Sequence, residues 1–261
     1  MSAAPPTAVA APALEVEGLA CSFGGVRAVQ GASFAVPARG ITGLIGPNGA
    51  GKSTVLNLVA GAIPTRSGSV RFLGQELGSL PSYRRARLGL IRTFQLSSEF
   101  ARLTVLENLL VAAPPIRGER LREALRGRRY WQQAEWEAVE RAREVLARFD
   151  MARLEDEYAG NLSGGQKRLV EIMRGVMAQP KLLLLDEPMA GVNPSLTRRI
   201  EAYLLELQRE GLTMLMVEHE LSVVERLCSP VVVMAAGRVL RQGEMAELRR
   251  DQEVLDAYLI G

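Results

Sequence analysis

Residues 46–53 constrain the fold of this chain more than any other feature. They read GPNGAGKS and match the pattern G-x4-G-K-S/T, directly after the apolar run Ile41–Ile45 and before a helix-like segment at residues 54–60. Glycines in such a strand-loop-helix unit let backbone N–H groups turn inward around phosphate oxygens, and the helix N-terminus adds a favourable dipole. The pattern therefore predicts an α/β fold that binds a nucleotide at the end of a buried strand.

Individual members of this loop have separate expected roles. Lysine is scarce in the chain, so Lys52 stands out, and we expect it to bridge the β and γ phosphates. The hydroxyl of Ser53 is expected to ligate Mg²⁺. The residues expected to contact nucleotide here are Gly46, Pro47, Asn48, Gly49, Ala50, Gly51, Lys52, Ser53 and Thr54. A purely structural glycine turn is the alternative interpretation.

Two further apolar runs predict polar side chains near this loop. Residues 182–185 are followed by Asp186 and Glu187, and Thr213–Val217 is followed two positions later by His219, the only histidine of the chain. Such runs are typical of strands buried on both faces of a parallel sheet. Because open α/β sheets bind ligands at the carboxyl ends of their strands, we expect the three side chains at one edge.

The remaining strand signals lie near the two ends of the chain. Residues 14–23 and 32–36 are predicted to be strands joined by a glycine turn, and residues 230–234 and 238–241 are predicted to form a hairpin. Residues 243–259 are predicted to form one closing helix with an exposed charged face.

Composition excludes several classes of protein. A net charge of +3 is too small to indicate a basic surface that binds nucleic acid, so no nucleic acid is expected as a partner. Cys21 and Cys228 lack metal-ligand or redox spacing and are expected to be buried thiols without a disulfide. Residues 1–13, rich in Ala and Pro, resemble a flexible tail rather than a signal peptide. The longest aliphatic run falls far short of the roughly 20 residues of a membrane span, so membrane contact must go through a partner.

Residues 162–166 read LSGGQ and resemble the signature motif of the ATP-binding cassette (ABC) ATPases. In that family the signature completes the ATP site of a partner subunit, which implies that this chain works as half of a dimer. The residues assigned by this resemblance are Leu162, Ser163, Gly164, Gly165 and Gln166. Ser163 could instead be only the N-cap of the following helix, with Gln166 at the capping-box position.

The same resemblance implies roles for residues elsewhere in the chain. Asp186 is expected in the Mg²⁺ shell, Glu187 is expected to polarise the attacking water, and His219 matches the switch histidine that contacts the γ-phosphate. Gln95 matches the Q-loop glutamine, which reaches Mg²⁺ and the water and links the site to a helical subdomain. Phe23 corresponds to the aromatic residue that stacks on adenine. A structural histidine, a surface glutamine and a core phenylalanine are the respective alternatives.

One position departs from the family pattern. Asn193 stands where most ABC proteins have the aspartate of the D-loop, a segment that belongs to the nucleotide site. This departure puts in doubt the positioning of water across the dimer interface by an aspartate. A catalytically weak regulatory subunit is therefore an alternative, although Glu187 and His219 argue against it.

The resemblance extends from residue 14 to the C-terminus and is closest to the ATPase subunits of branched-chain amino acid importers, in particular the longer of the paired ATPases. The stretches that carry this closer match are residues 23–26, 92–95, 104–108, 217–220 and 257–259. It implies a P-loop NTPase fold of the ABC ATPase type. We expect a mostly parallel sheet core, an N-terminal antiparallel β region, and a helical subdomain at about residues 96–178 inserted in one domain that spans residues 14–261.

The activity implied is hydrolysis of ATP with Mg²⁺, coupled to import across the cytoplasmic membrane. The implied partners are a second ABC ATPase subunit in a homo- or heterodimer, transmembrane permease subunits, and indirectly an extracytoplasmic substrate-binding protein. These partners would hold the chain on the cytoplasmic face of the membrane. Urea, amides or lipopolysaccharide are alternative substrates, and a soluble ABC protein acting on ribosomes or DNA is the hypothesis from another class.

Two features of the predicted helical subdomain suggest contacts with other molecules. An apolar cluster of Phe100, Leu103 and Leu106 lies in a polar stretch after Gln95 and is expected to grip a permease helix. The arginine-rich residues 117–129 are expected on a solvated amphipathic helix whose tryptophans, Trp131 and Trp136, pack inward. Contact with anionic lipid headgroups is the alternative for this stretch.

Overall fold

The structure of the chain is a computed structural model. It describes residues 11–93, 100–114 and 128–260, and for residues 128–131 and 258–260 it describes the backbone alone. Gln95, the first ten residues of the expected tail, and residues 117–127 of the arginine-rich stretch lie outside the described residues.

Strands and helices alternate along the described ranges. The strands are β1 (Leu14–Phe23), β2 (Val26–Val36), β3 (Ile41–Ile45), β4 (Ser67–Phe72), β5 (Gln75–Glu76), β6 (Leu90–Arg92), β7 (Leu182–Asp186), β8 (Thr213–Val217), β9 (Val231–Ala235) and β10 (Arg238–Gly243). The helices are α1 (Lys52–Ala60), α2 (Ser82–Arg87), α3 (Val105–Val111), α4 (Arg128–Arg148), α5 (Gly164–Met177), α6 (Pro194–Arg209), α7 (Leu221–Leu227), α8 (Met245–Leu248) and α9 (Gln252–Ile260). Two short 3-10 turns lie at Ala152–Leu154 and Ala159–Asn161.

The central sheet has the strand order β10-β9-β3-β8-β7-β6 in the described part of the chain. β3, β6, β7, β8 and β9 run parallel, and only the β9–β10 pair is antiparallel. Alternate residues of these strands enter two separate hydrophobic clusters: Leu183 and Leu185 face one, while Leu182 and Leu184 face the other. The sheet is therefore covered on both faces, as its continuous apolar runs predict.

A second, antiparallel sheet has the order β2-β1-β4-β5 and packs in the same cluster as α1. β2 begins at Val26, six residues before the predicted strand start at 32. The first two residues of β2 are exposed, and the alternation of buried and exposed residues becomes regular only after Gly31, which has a φ of 79°. The apolar pattern therefore reveals only the buried end of this strand. Together the two sheets and the helices confirm the predicted α/β fold.

The C-terminal segment differs from the single closing helix that the sequence predicts. It forms two helices, α8 and α9, and Asp251 lies between them. The Asp251 carboxylate accepts hydrogen bonds from the backbone N–H groups of Glu253 and Val254 at 2.9 and 3.3 Å. An aspartate that bonds the second and third amides of a helix acts as its N-cap, so the chain restarts helix formation there.

The expectation of inward-facing tryptophans is wrong for Trp136, which is 59% exposed. The buried stripe of α4 and its C-terminal end consists of Ala138, Ala142, Val145, Leu146 and Phe149. Trp136 precedes this stripe by two positions, about 200° around the helix, so it points away from the core. The side chain of Trp131 lies outside the described residues.

Candidate functional site

The loop between β3 and α1 requires glycine at two positions because neighbouring backbone approaches it closely. A Cβ on Gly46 would lie 2.0 Å from the carbonyl oxygen of Met234, and one on Gly51 would lie 2.4 Å from the carbonyl oxygen of Ala28. Both glycines also have positive φ, 150° and 99° respectively. Gly51 occupies the N-cap position of α1, so the loop leads directly to a helix N-terminus. This is the local geometry that favours phosphate binding.

Lys52 places a buried positive charge inside this loop. Its ammonium group donates hydrogen bonds to the carbonyl oxygens of Gly46 and Pro47 at 2.7 and 2.9 Å. Burial lowers the pKa of Lys52, and the nearby carboxylates of Glu187 and Asp186 act in the opposite direction. The ammonium group of Lys52 therefore lies close enough to the Asp186 and Glu187 carboxylates for their charges to affect its pKa.

The turn between β9 and β10 braces the loop. The N–H of Gly237 donates to the carbonyl oxygen of Ala50 at 3.1 Å, and Gln30 bonds the same turn twice. These bonds run from the Gln30 N–H to the oxygen of Gly237 at 2.7 Å and from its side-chain amide to the oxygen of Ala236 at 2.9 Å. The antiparallel sheet is thereby connected to the phosphate loop through a hairpin whose bracing role the sequence did not reveal.

A cavity of about 390 Å³ opens at the carboxyl edge of the central sheet. It is lined by Ser53, Arg92, Thr93, Arg168, Asp186, Glu187 and Ala190. The structure thus brings together three predicted residues, Ser53, Asp186 and Glu187, that are far apart in sequence. A hydroxyl and a carboxylate are hard oxygen ligands of the kind that Mg²⁺ prefers. No cluster of three or more His, Cys, Asp or Glu side chains suited to a metal occurs in the described residues.

Arg92 is a charged member of this cavity that sequence reasoning missed. Its guanidinium lies 2.8 Å from the carboxylate of Asp186, and both side chains are largely buried, at 12% and 25% exposure. A second nitrogen of Arg92 donates to the side-chain oxygen of Asn57 on α1 at 2.5 Å. Arg92 ends β6, which pairs in parallel with β7, so a strand-pairing argument could have placed it near Asp186.

Glu187 and His219 are brought into direct contact. The Nε2 atom of His219 lies 2.7 Å from a carboxylate oxygen of Glu187. Glu187 has a φ of 49°, and its N–H donates to the carbonyl oxygen of Val217 at 2.9 Å. A non-glycine residue in the left-handed region is uncommon and costs free energy, and such residues cluster at active sites. The pair is half-exposed and can be reached by water.

The signature segment forms the N-terminus of α5. Ser163 is the N-cap: its Oγ accepts a hydrogen bond from the Gln166 N–H at 3.3 Å, and its own N–H donates to the Gln166 side chain at 2.9 Å. This capping box is the alternative that the sequence left open, and it does not exclude a ligand. Leu162 is buried, Ser163 and Gly164 are exposed, and a Cβ on Gly164 would meet no atom within 4 Å.

Two other predicted residues have clear structural positions. Phe23 ends β1 and is 52% exposed, so it is not a core residue. Asn193 is the N-cap of α6, and its side-chain oxygen accepts from the Leu196 N–H at 2.9 Å and from the Ser195 hydroxyl at 2.7 Å. The asparagine therefore has a local capping role in addition to any role across a dimer interface.

Comparison with known proteins places the chain in a family. The family model described as ABC transporter matches residues 29–190. A probable branched-chain amino acid transport ATP-binding protein, LivG of Archaeoglobus fulgidus, is 39% identical, and the match covers 94% of this chain and 95% of the relative. The high-affinity branched-chain amino acid transport ATP-binding protein BraF of Pseudomonas aeruginosa is 37% identical over 95% of this chain and 98% of the relative.

Solved structures agree with the sequence relatives. A nucleotide-free ATP-binding cassette from an ABC transporter superposes with a TM-score of 0.82 at 34% identity, covering 95% of this chain and 98% of that chain. The ADP conformation of an ATP-binding cassette of an ABC transporter gives the same TM-score, identity and coverage. The chain therefore belongs to the ABC transporter ATP-binding family and is a nucleotide-binding, ATP-hydrolysing enzyme.

Proposed function

We propose that this ATPase powers the import of branched-chain amino acids across the cytoplasmic membrane. The observation that carries the proposal is the match over nearly the whole length of both chains to relatives named for branched-chain amino acid transport. No substrate atom is expected to touch this subunit, so the substrate class rests on these relatives and the chemistry rests on the site.

The site supports the following division of work in hydrolysis. Lys52 would neutralise charge on the phosphates, and Ser53 and Asp186 would hold Mg²⁺. When bound, this ion offsets the negative charge that develops on the transferred phosphoryl group. Glu187 orients and polarises the attacking water, and His219 holds the Glu187 carboxylate at 2.7 Å. We assign Gln95 to the same water and ion, and Phe23 to the adenine.

We further propose that a second ATPase subunit completes each site. The exposed N-terminus of α5, with Ser163 and Gly164, presents backbone N–H groups and a helix dipole that suit a γ-phosphate bound by the partner. Asn193, the N-cap of α6, would lie near the same interface.

The permease is proposed to bind at a groove of about 570 Å³. Its lining residues are Tyr83, Ala86, Arg87, Leu88, Gly89, Ile91, Ala112, Ala113, Pro114, Ala178, Gln179 and Lys181. Small apolar residues form much of its surface, and two basic residues stand among them, so it fits a helix with an apolar face and an acidic edge. Phe100, Leu103 and Leu106 are not among these lining residues; Phe100 instead packs against Arg174, whose guanidinium carbon lies 4.3 Å from the ring centre. We propose this groove as a candidate for permease contact in addition to that cluster.

Membrane association is proposed to occur through this permease. Among the described helices, none combines the length and the apolar character that crossing a membrane requires. We propose that the chain lies on the cytoplasmic face, and that an extracytoplasmic binding protein delivers the amino acid to the permease.

The assignment of Glu187 is tested by the Glu187→Gln variant. We expect turnover to fall by about 10² to 10⁴, because the amide cannot polarise water as a carboxylate does, while nucleotide binding is retained. Glu225→Gln is the matched control, since Glu225 is exposed and forms a surface ion pair with Arg249, away from the cavity. Turnover of Glu187→Gln equal to that of the control would remove Glu187 from the mechanism.

The transport role is tested by trapping Glu187→Gln with ATP in its native membranes and identifying the co-purifying proteins by mass spectrometry. Two multi-span permeases and a second cassette are expected. A thermal shift of the associated binding protein with leucine, isoleucine or valine, and not with urea, would support the substrate class. Recovery of ribosomal proteins instead would overturn the proposal.

A further inference from the structure

Glu218 is a buried carboxylate next to the candidate catalytic pair, and the sequence analysis assigns it no role of its own. It follows β8 directly, and only 4% of its surface is exposed. One carboxylate oxygen accepts a hydrogen bond from the backbone N–H of Met189 at 2.9 Å, and the other accepts from the backbone N–H of His219 at 3.2 Å. The bond to Met189 therefore joins the end of β8 to the segment after β7, 29 residues away in sequence, and the bond to the adjacent His219 orients the carboxylate.

These two segments carry Glu187 and His219. Met189 lies two positions after Glu187, and the turn between them is closed by a hydrogen bond from the Ala190 N–H to the Glu187 carbonyl oxygen at 3.1 Å. The other amide that Glu218 binds belongs to His219 itself. The 2.7 Å contact between the side chains of Glu187 and His219 therefore lies between two backbone segments. The Met189–Glu218 bond joins these segments beside the backbone bond from Glu187 to Val217.

A carboxylate at this buried position is unfavourable for the stability of the folded protein. Burial raises the pKa of Glu218, and the hydrogen bonds from Met189 and His219 oppose that rise. Among the described residues, Glu218 forms no ion pair with a lysine or arginine. Burying a charge without a cationic partner is costly unless hydrogen bonds compensate. A carboxylate does, however, offer two oxygens that are both acceptors, which is what two converging N–H groups require.

We propose that Glu218 is a positioning residue for ATP hydrolysis, which fixes the Glu187 segment against His219 and so sets the orientation of the Glu187 carboxylate. The inference rests on the assignment of Glu187 and His219 as the catalytic pair. It goes beyond that assignment because Glu218 needs no contact with nucleotide or water to act.

The Glu218→Gln variant tests this role with almost no change in shape. One end of the amide still accepts a hydrogen bond, but its NH₂ group must face the other backbone N–H, so one of the two bonds that hold and orient the Glu218 side chain is lost. A misplacement on the order of 1 Å at a reacting group can lower turnover about 10²-fold. We therefore expect kcat to fall by about 10- to 100-fold, with KM for ATP changed by no more than about twofold because the phosphate loop is intact.

Glu220→Gln is the control, since Glu220 is exposed and, in the described chain, its carboxylate accepts a hydrogen bond only from the Ser222 hydroxyl. A second variant, Glu218→Asp, keeps the charge but is one methylene shorter and can reach only one of the two amides. It is expected to give the same selective loss of kcat, and it provides the test if Glu218→Gln does not fold. Thermal melting of each variant establishes that the protein measured is folded.

A double-mutant comparison separates positioning from a general structural effect. If Glu218 acts through the pair, Glu218→Gln should have little further effect on kcat in a Glu187→Gln background, whereas an independent structural effect would multiply. A folded Glu218 variant with kcat within twofold of wild type, alongside an inactive Glu187→Gln, would overturn the inference. Full activity in Glu187→Gln would instead overturn the site assignment on which it rests.

Discussion

Arg85 on α2 provides a prediction about stability that the structure makes quantitative. Its side chain is fully buried, and it donates hydrogen bonds of 2.8 Å to four backbone carbonyl oxygens. Two of them belong to Leu58 and Val59 in the last turn of α1, and the others belong to Gly78 and Leu80. Arg85 therefore caps the C-terminal end of the helix whose N-terminus forms the phosphate loop.

Arg85→Met would leave these carbonyl oxygens without their donor. The bonds to Leu58 and Val59 are buried, whereas those to Gly78 and Leu80 are partly buried and can be replaced by water. Two orphaned buried acceptors cost about 1 to 3 kcal/mol each. The methionine variant avoids the desolvation free energy of a buried guanidinium, and this offsets part of the lost stability. The free energy of unfolding should therefore fall by about 3 kcal/mol.

Urea unfolding followed by circular dichroism measures this change. With an m-value of about 3 kcal/mol/M, the midpoint should move down by about 1 M. Arg84→Met is the matched control, because Arg84 is an exposed neighbour on the same helix that lies 5.9 Å from the ring centre of Tyr83. The control should change the free energy by no more than about 0.5 kcal/mol. A shift for Arg85→Met as small as that of the control would refute the capping argument.

Three further predictions concern the site and the thiols. Gly51→Ala should abolish nucleotide binding in a fluorescent-nucleotide titration, because the added methyl would lie 2.4 Å from a facing carbonyl oxygen. Arg92→Met should lower the Mg²⁺ concentration that half-saturates the ATPase by about fivefold, because the guanidinium competes for Asp186 in a largely buried ion pair worth about 1 kcal/mol after desolvation is subtracted; an unchanged Mg²⁺ dependence would contradict this. Burial raises the pKa of the Cys228 thiol to about 12, so iodoacetamide at pH 8 should label the half-buried Cys21 first, and mass spectrometry should find a second adduct only in urea.

The sequence predicted the bounds of β3 and β8 because both segments are mostly apolar and are followed at once by glycine or polar residues. It also predicted that Asp186, Glu187 and His219 share one edge, since parallel strands deliver their ends to the same side of a sheet. The burial of Cys21 was overestimated: it lies on a strand of the antiparallel sheet and is only partly buried. Strand alternation suggests which face a residue occupies, but not how completely that face is covered.

The residues that sequence reasoning missed all bind partners that are far away in the sequence. Arg85 binds a carbonyl 27 positions away, and Arg92 binds a carboxylate 94 positions away. Helix and strand periodicity relate residues only within a few positions, so it cannot reveal such partners. Glu218 was noted only as part of a resemblance, because its bond to Met189 spans 29 positions.

This difference suggests how the site divides its tasks. The motif residues supply the reacting groups, and they lie in the loops that follow the strands of the central sheet. Each of these loops is joined to the sheet through the strand that precedes it, so its other end needs a separate contact. Arg85 hydrogen-bonds the C-terminal end of α1, and the β9–β10 turn hydrogen-bonds the loop between β3 and α1. Glu218 accepts a hydrogen bond from the segment that follows Glu187. Catalysis by positioned charges requires that these groups not reorganise during the reaction. Substitutions at the residues that make these bonds near the reacting atoms should therefore lower kcat more than KM, whereas Arg85→Met, at the distant end of α1, should chiefly lower stability.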